Sequence, residues 1–253
     1  MNHSRSDWNY NVLNIYNFRK SGPYKFVFDF LSENQSCLNG DILEAGVFKG
    51  RTALAFALFL KENNLAGHVH AFDTFEGFPE YSEFDLFENF EVLFSSGQID
   101  RFHFDQIKEM EELSKSVFLR EMTPATSSSS GNFSNVDLPL LYRKIDLLRL
   151  ENLTLHKGQF STTMKSSQLL DLQYSLIFID CDLYDGYLTT LEYGWERLKK
   201  GGLIFLDEYY SLKFPGARIA TNNFLSKIDD NSFELDEVSD AGDDFERWVI
   251  RKL

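Results

Sequence analysis

Residues 41–52 decide the fold of this chain and read DILEAGVFKGRT. Positions 41–45 form the short apolar pattern of a buried strand, and a turn with glycines at positions 46 and 50 follows. The next apolar run, residues 52–60, has the length of a helix. A strand, a glycine turn and a helix in this order predict one unit of an α/β sheet.

Four later stretches repeat the strand pattern. They are residues 68–73 (HVHAFD), 153–156 (LTLH), 176–180 (LIFID) and 203–207 (LIFLD). The unbroken apolar runs at 176–180 and 203–207 are typical of parallel strands that a sheet buries on both faces. Strands that alternate with helices predict a doubly wound, mostly parallel sheet, whose ligands bind beyond the carboxyl ends of the strands.

The C-terminal part of the chain completes this sheet. A helix is predicted over residues 187–199, and the glycines at 201 and 202 are expected to end it. Residues 233–238 and 246–251 are predicted as two closing strands, joined by an acidic turn at 240–244. Because the connection is short, we expect the two strands to pair antiparallel, which gives the sheet an antiparallel C-terminal strand.

Two segments lie outside the alternating pattern. We predict N-terminal helices within residues 1–39 and an insertion at residues 81–150, since that link is far longer than a crossover of roughly a dozen residues requires. The helical patterns lie at residues 12–18, 23–31, 104–119 and 138–150. A serine-rich loop at 123–135 suggests that the insertion is a helical lid over the ligand site; a helical ornament or an oligomer contact is the alternative. We therefore predict a single domain over residues 1–253.

The composition excludes several classes of partner. Lys and Arg number 25 against 39 Asp and Glu, so the net charge is −14, and such a surface repels nucleic acid and anionic membranes. No segment approaches the roughly 20 apolar residues of a membrane helix, and residues 1–20 lack the apolar run of a signal peptide. Cys37 and Cys181 are too few and too far apart for a disulfide framework. We therefore expect a cytoplasmic protein.

Acidic residues stand at the ends of three predicted strands. Asp73, Asp180 and Asp207 each close a strand, and we expect them to converge because the carboxyl ends of parallel strands meet at one edge of a sheet. Solvated loop acids are the alternative, although those would be scattered over both ends of the strands. The glycine turn after Glu44 is neither a P-loop nor a dinucleotide fingerprint, which disfavours nucleoside triphosphates and NAD. The glycines allow the backbone to approach a ligand closely, and the acid before the turn adds negative charge there. Such a turn suits a cationic ligand better than a pyrophosphate.

Two blocks of short motifs occur together in the chain. The first block, residues 40–80, contains LEAGVFKG (43–50) and FDTFEGFPE (72–80). The second block contains HKGQF (156–160), IDCDLY (179–184), LKKGG (198–202), LDEY (206–209) and GAR (216–218). In this order the motifs resemble the macrocin-type (TylF/MycF) O-methyltransferases, which use S-adenosylmethionine and a divalent metal ion. The resemblance implies a Rossmann-like class I methyltransferase fold.

The resemblance also implies which residues bind the cofactor. The glycine turn would hold S-adenosylmethionine, and Asp73 would accept hydrogen bonds from the ribose hydroxyls, a task that suits a carboxylate facing a vicinal diol. The implied cofactor-binding residues are Glu44, Gly46, Val47, Gly50, Thr52, Asp73, Thr74, Phe75, Gln159 and Asp180.

The same resemblance implies that Asp180, Asp207 and Glu208 bind the metal ion and that Asp182 is the general base. Oxygen ligands independently favour Mg²⁺, Mn²⁺ or Ca²⁺ over zinc. Asp180 and Asp182 are two positions apart, so in an extended strand their side chains would share a face. Acids packed this closely raise one another's pKa unless a cation compensates, which supports a metal site.

Together these residues predict a metal-dependent O-methyltransferase that acts on a small molecule, which the resemblance implies to be a sugar or a glycoside. In this hypothesis Asp182 takes the proton of the acceptor hydroxyl, and the oxygen then attacks the sulfonium methyl. A catechol-like phenol is the nearest alternative acceptor. A non-catalytic ligand-binding protein and a metal-independent nucleoside-binding enzyme are the alternatives from other classes. A homo-oligomer is one option for the oligomeric state.

Overall fold

The computed structural model describes residues 6–238 and 246–253 of the chain. The strands are β1 (Asp41–Ala45), β2 (Val69–Asp73), β3 (Leu153–Lys157), β4 (Tyr174–Ile179), β5 (Leu198–Leu206), β6 (Phe233–Glu237) and β7 (Trp248–Lys252). They form one seven-stranded sheet in the order β3-β2-β1-β4-β5-β7-β6. Strand β7 runs antiparallel to both of its neighbours, and the other pairs are parallel. This confirms the predicted Rossmann-like sheet, mostly parallel with an antiparallel C-terminal strand.

Helices cover both faces of the sheet. They are α1 (Asp7–Leu13), α2 (Lys25–Leu38), α3 (Arg51–Glu62), α4 (Asn89–Ser95), α5 (Arg101–Ser116), α6 (Pro124–Ser127), α7 (Leu138–Leu148), α8 (Phe160–Thr163), α9 (Tyr184–Arg197) and α10 (Pro215–Leu225). Helices α2 and α3 pack on one face, and α9 and α10 pack on the other. The side chains of α3 from Thr52 to Leu60 are all buried, which explains why its apolar residues do not form a single stripe.

The two hydrophobic cores follow from the alternation of side chains along each strand. In β4, Leu176 and Phe178 point to the core under α2 and α3, whereas Ile177 and Ile179 point to the core under α9 and α10. All four of these side chains are completely buried. A strand in this position needs the continuous apolar run that its sequence has.

The N-terminal helices differ in position from the sequence prediction. The predicted helix at 12–18 is wrong, because α1 ends at Leu13 and Asn14 adopts a left-handed conformation with φ of 50°. Asn tolerates this conformation better than most residues, and a residue in it ends a helix. The second helix, α2, begins at Lys25 and continues to Leu38, beyond the predicted end at residue 31.

The glycines at 201 and 202 do not end a helix, contrary to the prediction. Helix α9 ends at Arg197, and Leu198 already pairs with Tyr174 of β4, so the chain passes directly into β5. Both glycines therefore lie inside β5. A Cβ at Gly202 would lie 2.7 Å from the carbonyl oxygen of Lys199, so the lack of a side chain is needed for this irregular strand start.

The segment between β2 and β3 contains α4, α5, α6 and α7, of which α5 and α7 correspond to the two predicted helices. A small apolar cluster from α4 and α5 includes Phe90, Phe104 and Ile107 and packs against Ile219 of α10. This part of the segment is therefore held on the side of the sheet that carries α9 and α10.

None of the helices in the described part of the chain combines the length and the apolar surface that a membrane span needs. The acidic turn predicted at residues 240–244 lies outside the described residues.

Candidate active site

A cavity of about 1080 Å³ lies at the carboxyl ends of β1, β2 and β4. Three segments supply most of its lining: the glycine turn after β1, the loop after β2 and the loop after β4. Of the predicted cofactor residues, those that line the cavity are Gly46, Val47, Thr52, Asp73, Thr74, Gln159 and Asp180. Glu44, Gly50 and Phe75 lie outside the lining.

Both glycines of the turn permit a close approach that a side chain would block. Gly46 has φ of +91°, and a Cβ there would lie 1.7 Å from the carbonyl oxygen of Asp180. Gly50 has φ of +78°, and its Cβ would lie 2.4 Å from Leu141 of α7. The first glycine therefore lets β1 and β4 converge at the cavity, and the second admits α7 beside the turn.

The side chain of Asp73, the last residue of β2, accepts hydrogen bonds from the backbone of the glycine turn. Its Oδ2 accepts hydrogen bonds from the amides of Val47 and Phe48, each at 2.8 Å. Its Oδ1 accepts a hydrogen bond from the amide of Phe75 at 2.6 Å. The carboxylate thus fixes the loops after β1 and β2 relative to each other at the edge of the cavity.

Glu44, the fourth residue of β1, is completely buried. The hydroxyl of Thr52 donates a hydrogen bond to its Oε1 at 2.5 Å, while Oε2 has no hydrogen-bond partner among the described residues. Burial, more than the nearby charges of Asp180 and Asp73, raises the pKa of Glu44 well above its usual range. The contact with Thr52 connects this buried acid to the lining of the cavity.

Three acids come together at the ends of β4 and β5. Asp180, Asp207 and Glu208 each offer a carboxylate oxygen, and these three oxygens lie within 4.8 Å of one another. Burial, followed by the charge of Asp207, raises the pKa of Asp180 to about 7. Acids this close, of which Glu208 is buried and the other two are partly buried, favour a compensating cation, and three oxygen donors fit Mg²⁺, Mn²⁺ or Ca²⁺.

Two further observations support this fit. Burial, and then the charge of Asp182, raises the pKa of Glu208 well above its usual range, as burial also raises that of Asp180. Oδ1 of Asp207 is buried and makes no hydrogen bond within the described residues. The cluster therefore has oxygen acceptors in excess of the donors around it.

Asp182 lies in a tight turn that the sequence did not predict. Strand β4 ends at Ile179, so the expectation that Asp180 and Asp182 share one face of an extended strand is wrong. Instead, the amide of Leu183 donates to the carbonyl of Cys181 at 2.7 Å, and Asp182 between them has φ of +63°. Asp182 is one of the residues that line the cavity. Burial raises its pKa, and the charges of Asp180 and Asp207 add to this.

Tyr187 and Tyr24 were missed by the sequence reasoning. The Tyr187 hydroxyl donates to Oε2 of Glu208 and accepts from the Glu208 amide. Tyr24 lines the cavity, and its pKa is raised by burial and then by the charge of Asp207. Neither tyrosine belongs to a motif, and no signal in the sequence identifies them.

Arg247 was also missed, because residues 246–251 were predicted to pair with residues 233–238 and not with β5. Its Nε lies 3.7 Å from Oδ1 of Asp207. In the antiparallel pair of β5 and β7, Trp248 is opposite Leu206, so the residue before Trp248 lies across from the residue after Leu206. This register brings a cation to the edge of the acidic cluster.

Aromatic rings form another part of the cavity lining. The ring of Phe133 packs against Phe48 and Phe78, with centroid distances of 5.2 Å and 5.0 Å. Among the described residues 81–150, Phe133 is the one that lines the cavity. Together with Phe48 and Phe78, it gives the cavity an apolar surface beside its acidic residues.

Comparisons with known proteins agree with this architecture. A family model described as "Methyltransferase domain" matches residues 43–209. No curated protein sequence matches the chain. The solved structure of CalS11, described as a calicheamicin methyltransferase, has a TM-score of 0.61 at 20% identity and covers 89% of this chain and 77% of its own. An apo structure described as CalS11, TDP-rhamnose 3'-O-methyltransferase, has a TM-score of 0.53 at 17% identity, with coverages of 89% and 77%. The O-methyltransferase NovP has a TM-score of 0.59 at 17% identity, with coverages of 89% and 76%.

Proposed function

The chain belongs to the family of methyltransferase domains and is an S-adenosylmethionine-dependent methyltransferase, and we propose that it methylates a hydroxyl of a sugar or glycoside with the help of a divalent cation. The observation that carries this proposal is the group of three carboxylate oxygens within 4.8 Å, from Asp180, Asp207 and Glu208. Asp180 also lines the cavity that the glycine turn borders. Membership of the macrocin-type subfamily is part of the proposal.

The cofactor would lie against the glycine turn. S-adenosylmethionine, when bound, supplies the methyl group on a sulfonium that is a good leaving group. Asp73 accepts three hydrogen bonds from backbone amides, and the Thr74 hydroxyl lies 3.5 Å from its Oδ1 but donates to the carbonyl of Gly77 at 2.6 Å. Since a carboxylate has about four lone-pair sites, a ribose hydroxyl could take the remaining one in place of the long Thr74 contact. Gly46 leaves the backbone open to close contact. Val47, Thr52, Thr74 and Gln159 would complete this side, while Glu44, Gly50 and Phe75 would support it from outside the lining.

Asp180, Asp207 and Glu208 would hold the cation, with Mg²⁺ as the first choice and Mn²⁺ or Ca²⁺ as alternatives. When bound, such an ion lowers the pKa of an acceptor hydroxyl. Asp182 would take the proton of that hydroxyl, since this residue lines the same cavity. Its raised pKa makes it a stronger base than an exposed aspartate.

The acceptor class is supported by a fold neighbour. CalS11 carries the description TDP-rhamnose 3'-O-methyltransferase, which favours a sugar hydroxyl here as well. The apolar surface formed by Phe48, Phe78 and Phe133 favours a second candidate, a catechol-like phenol. The net charge of −14 supports a small acceptor over a nucleic acid. We also propose that the insertion at 81–150 acts as a lid and thereby influences acceptor choice.

Calorimetric titration of S-adenosylmethionine and S-adenosylhomocysteine, with Mg²⁺ and then with EDTA, tests the cofactor side. We expect both to bind in either condition, because the proposed cation site serves the acceptor. Release of S-adenosylhomocysteine with TDP-rhamnose or catechol as acceptor, measured by mass spectrometry, tests the reaction. EDTA should abolish this turnover and Mg²⁺ should restore it. Turnover that EDTA leaves unchanged would contradict the metal-dependent mechanism.

Asp182→Asn tests the base directly. We expect turnover to fall about 100-fold or more, because loss of a general base costs roughly 10²- to 10⁴-fold, while S-adenosylmethionine affinity stays unchanged. Asp236→Asn, an exposed aspartate on β6, is the matched control and should leave both quantities unchanged. Loss of cofactor affinity in Asp182→Asn would contradict the assignment.

A further inference from the structure

Helix α9 begins without a capping side chain of its own. Its N-cap residue is Leu183, which has no hydrogen-bond acceptor in its side chain. The acceptor comes from Asp85 instead, whose Oδ1 accepts a hydrogen bond from the amide of Tyr184 at 2.7 Å. Asp85 lies 99 positions earlier in the chain, in the insertion between β2 and β3. The first turn of α9 therefore depends on a residue of the insertion.

Asp85 is itself held in one orientation. Only 2% of its surface is exposed. Its Oδ2 accepts hydrogen bonds from the amide and the hydroxyl of Ser82, at 2.9 Å and 3.0 Å. The preceding residue, Phe84, places its ring 4.4 Å from the ring of Tyr184. A Cβ at Gly216 of α10 would lie 2.0 Å from Oδ1 of Asp85, so that oxygen fills the space beside the glycine.

This contact lies directly after the turn that carries Asp182. A residue other than glycine at positive φ is strained, and it keeps such a conformation only when its surroundings fix both sides. On one side, the amide of Asp180 donates to the carbonyl of Ala45 in β1 at 2.9 Å. On the other side, Asp85 holds the amide of Tyr184. Asp182 lies between these two fixed points.

We infer that Asp85 is a positioning residue for methyl transfer, because it holds the strained turn that places Asp182 at the cavity. This inference rests on the function proposed for Asp182. It also gives the insertion a role in catalysis that is separate from acceptor selection. The insertion must be docked for the Asp182 turn to keep its shape.

Asp85→Ala tests the inference through a split between kinetic constants. With TDP-rhamnose and catechol as acceptor probes, we expect kcat to fall about 100-fold, because a small misplacement of a catalytic group costs this much. The Kd for S-adenosylmethionine should stay within about twofold, since the glycine turn and Asp73 are untouched. Asp85→Asn keeps an acceptor oxygen for Tyr184 and should recover much of kcat.

Asp100→Ala is the matched control. Asp100 also lies in the insertion and caps a helix, because its Oδ1 accepts from the amide of His103 at 2.8 Å. It has no bond to the loop after β4, so its loss should lower stability without changing kcat. An equal loss of kcat in Asp85→Ala and Asp100→Ala would overturn the inference, since it would indicate general destabilisation.

The double variant Asp85→Ala/Asp182→Asn distinguishes a positioning role of Asp85 from a general loss of structure. If Asp85 acts through Asp182, then Asp85→Ala should slow Asp182→Asn no further, because the group it positions is already gone. Additive losses would overturn the inference while the proposed function stands. Full turnover in Asp182→Asn would overturn the proposed base, and the inference with it, so the two failures are distinguishable.

Hydrogen exchange provides a test that needs no acceptor. In Asp85→Ala, the amides of residues 180–187 should exchange at least about tenfold faster than in the unmodified protein, and those of α3 should not change. Gly216→Ala should act in the same way, because its Cβ would displace Oδ1 of Asp85 without removing it. Unchanged exchange at 180–187 in both variants would overturn the inference.

Discussion

Tyr187 and Glu208 are joined by two hydrogen bonds of opposite direction that share one hydroxyl. The hydroxyl donates to Oε2 of Glu208 at 2.6 Å and accepts from the Glu208 amide at 2.9 Å. Removal of this one oxygen therefore frees both the backbone and the carboxylate of Glu208. We predict that Tyr187→Phe lowers the affinity for Mn²⁺, measured by calorimetry, about tenfold or more, as is usual when a group that orients a metal ligand is lost.

Tyr193→Phe is the control for this prediction. Tyr193 lies on the same helix, and its hydroxyl donates to the carbonyl of Leu169 at 3.0 Å, outside the acidic cluster. The Tyr193 hydroxyl also lies 3.0 Å from the hydroxyl of Tyr174, so each variant removes a hydroxyl with two partners and should lose about 1 kcal/mol of unfolding free energy per hydrogen bond. Equal Mn²⁺ affinities in the two variants would mean that Tyr187 does not orient a ligand.

A comparison of Gly46→Ala with Gly97→Ala distinguishes the effect of a steric clash at Gly46 from the effect of backbone strain at positive φ. A Cβ at Gly46 would lie 1.7 Å from the carbonyl oxygen of Asp180, whereas a Cβ at Gly97, which also has positive φ, meets nothing within 4 Å. We expect Gly97→Ala to cost about 1 kcal/mol of unfolding free energy in urea, the strain of a side chain at positive φ. Gly46→Ala should cost roughly 3 kcal/mol or more and abolish S-adenosylmethionine binding, since strain and overpacking add. Similar losses in both variants would refute the role of the close contact.

Asp73→Asn should weaken S-adenosylmethionine binding. An amide group at this position cannot accept from three backbone amides, so the loops after β1 and β2 lose their common partner. Each hydrogen bond to a charged group contributes about 1.5 to 3 kcal/mol, and we expect the calorimetric Kd to rise about tenfold to 100-fold. Asp100→Asn, an exposed helix cap, should leave Kd unchanged. A normal Kd in Asp73→Asn would remove this residue from the cofactor site.

His156 should make the folded state sensitive to acid. Burial, and then the charges of His70 and His68, lower the pKa of His156 from 6.5 to about 4. Above about pH 6.5 the imidazole is neutral in both states; as the pH falls toward 4, the unfolded chain binds the proton first and stability is lost. A pKa unit corresponds to about 1.4 kcal/mol. Because the ring is partly exposed, screening should leave about 1 to 2 kcal/mol of this effect.

Urea unfolding of His156→Gln at several pH values measures this contribution. The fall in unfolding free energy between about pH 7 and pH 4.5 should be smaller in this variant than in the unmodified protein. Lys165→Gln, at an exposed position, is the control, because a lysine does not titrate in this range. A slope that His156→Gln leaves unchanged would show that another group causes the acid sensitivity.

The sheet was predictable because its strands carry a strong local signal. Parallel strands buried on both faces need unbroken apolar runs such as residues 176–180, and the glycine turn after β1 fixes where α3 begins. The proximity of Asp180 and Asp207 was also predictable, because the carboxyl ends of neighbouring parallel strands lie at the same edge of the sheet. A local pattern was sufficient for these features.

The turn at Asp182 was not predictable, because Asp is enriched at positive φ but also occurs in all ordinary conformations, so the residue type alone does not identify the turn. Its conformation is held in part by Asp85, which a long stretch of chain separates from it. Helix ends were misplaced for a related reason: Leu198 joins the sheet through its pairing with Tyr174, and this overrides the helix-ending tendency of the glycines that follow. Contacts between distant residues decided each of these cases.

The position of Phe133 in the cavity lining has a consequence for how the acceptor range of this protein could change during evolution. In the described residues 81–150, this one ring reaches the lining, from a loop that follows the short helix α6. Exchange of Phe133 would change the size and polarity of the space for an acceptor, while Asp73, the glycine turn and the acids at the strand ends keep their places. If the proposed acceptor binds beside this ring, we expect exchanges at this one loop position to change the range of acceptors, which makes the position the natural first target for a saturation library.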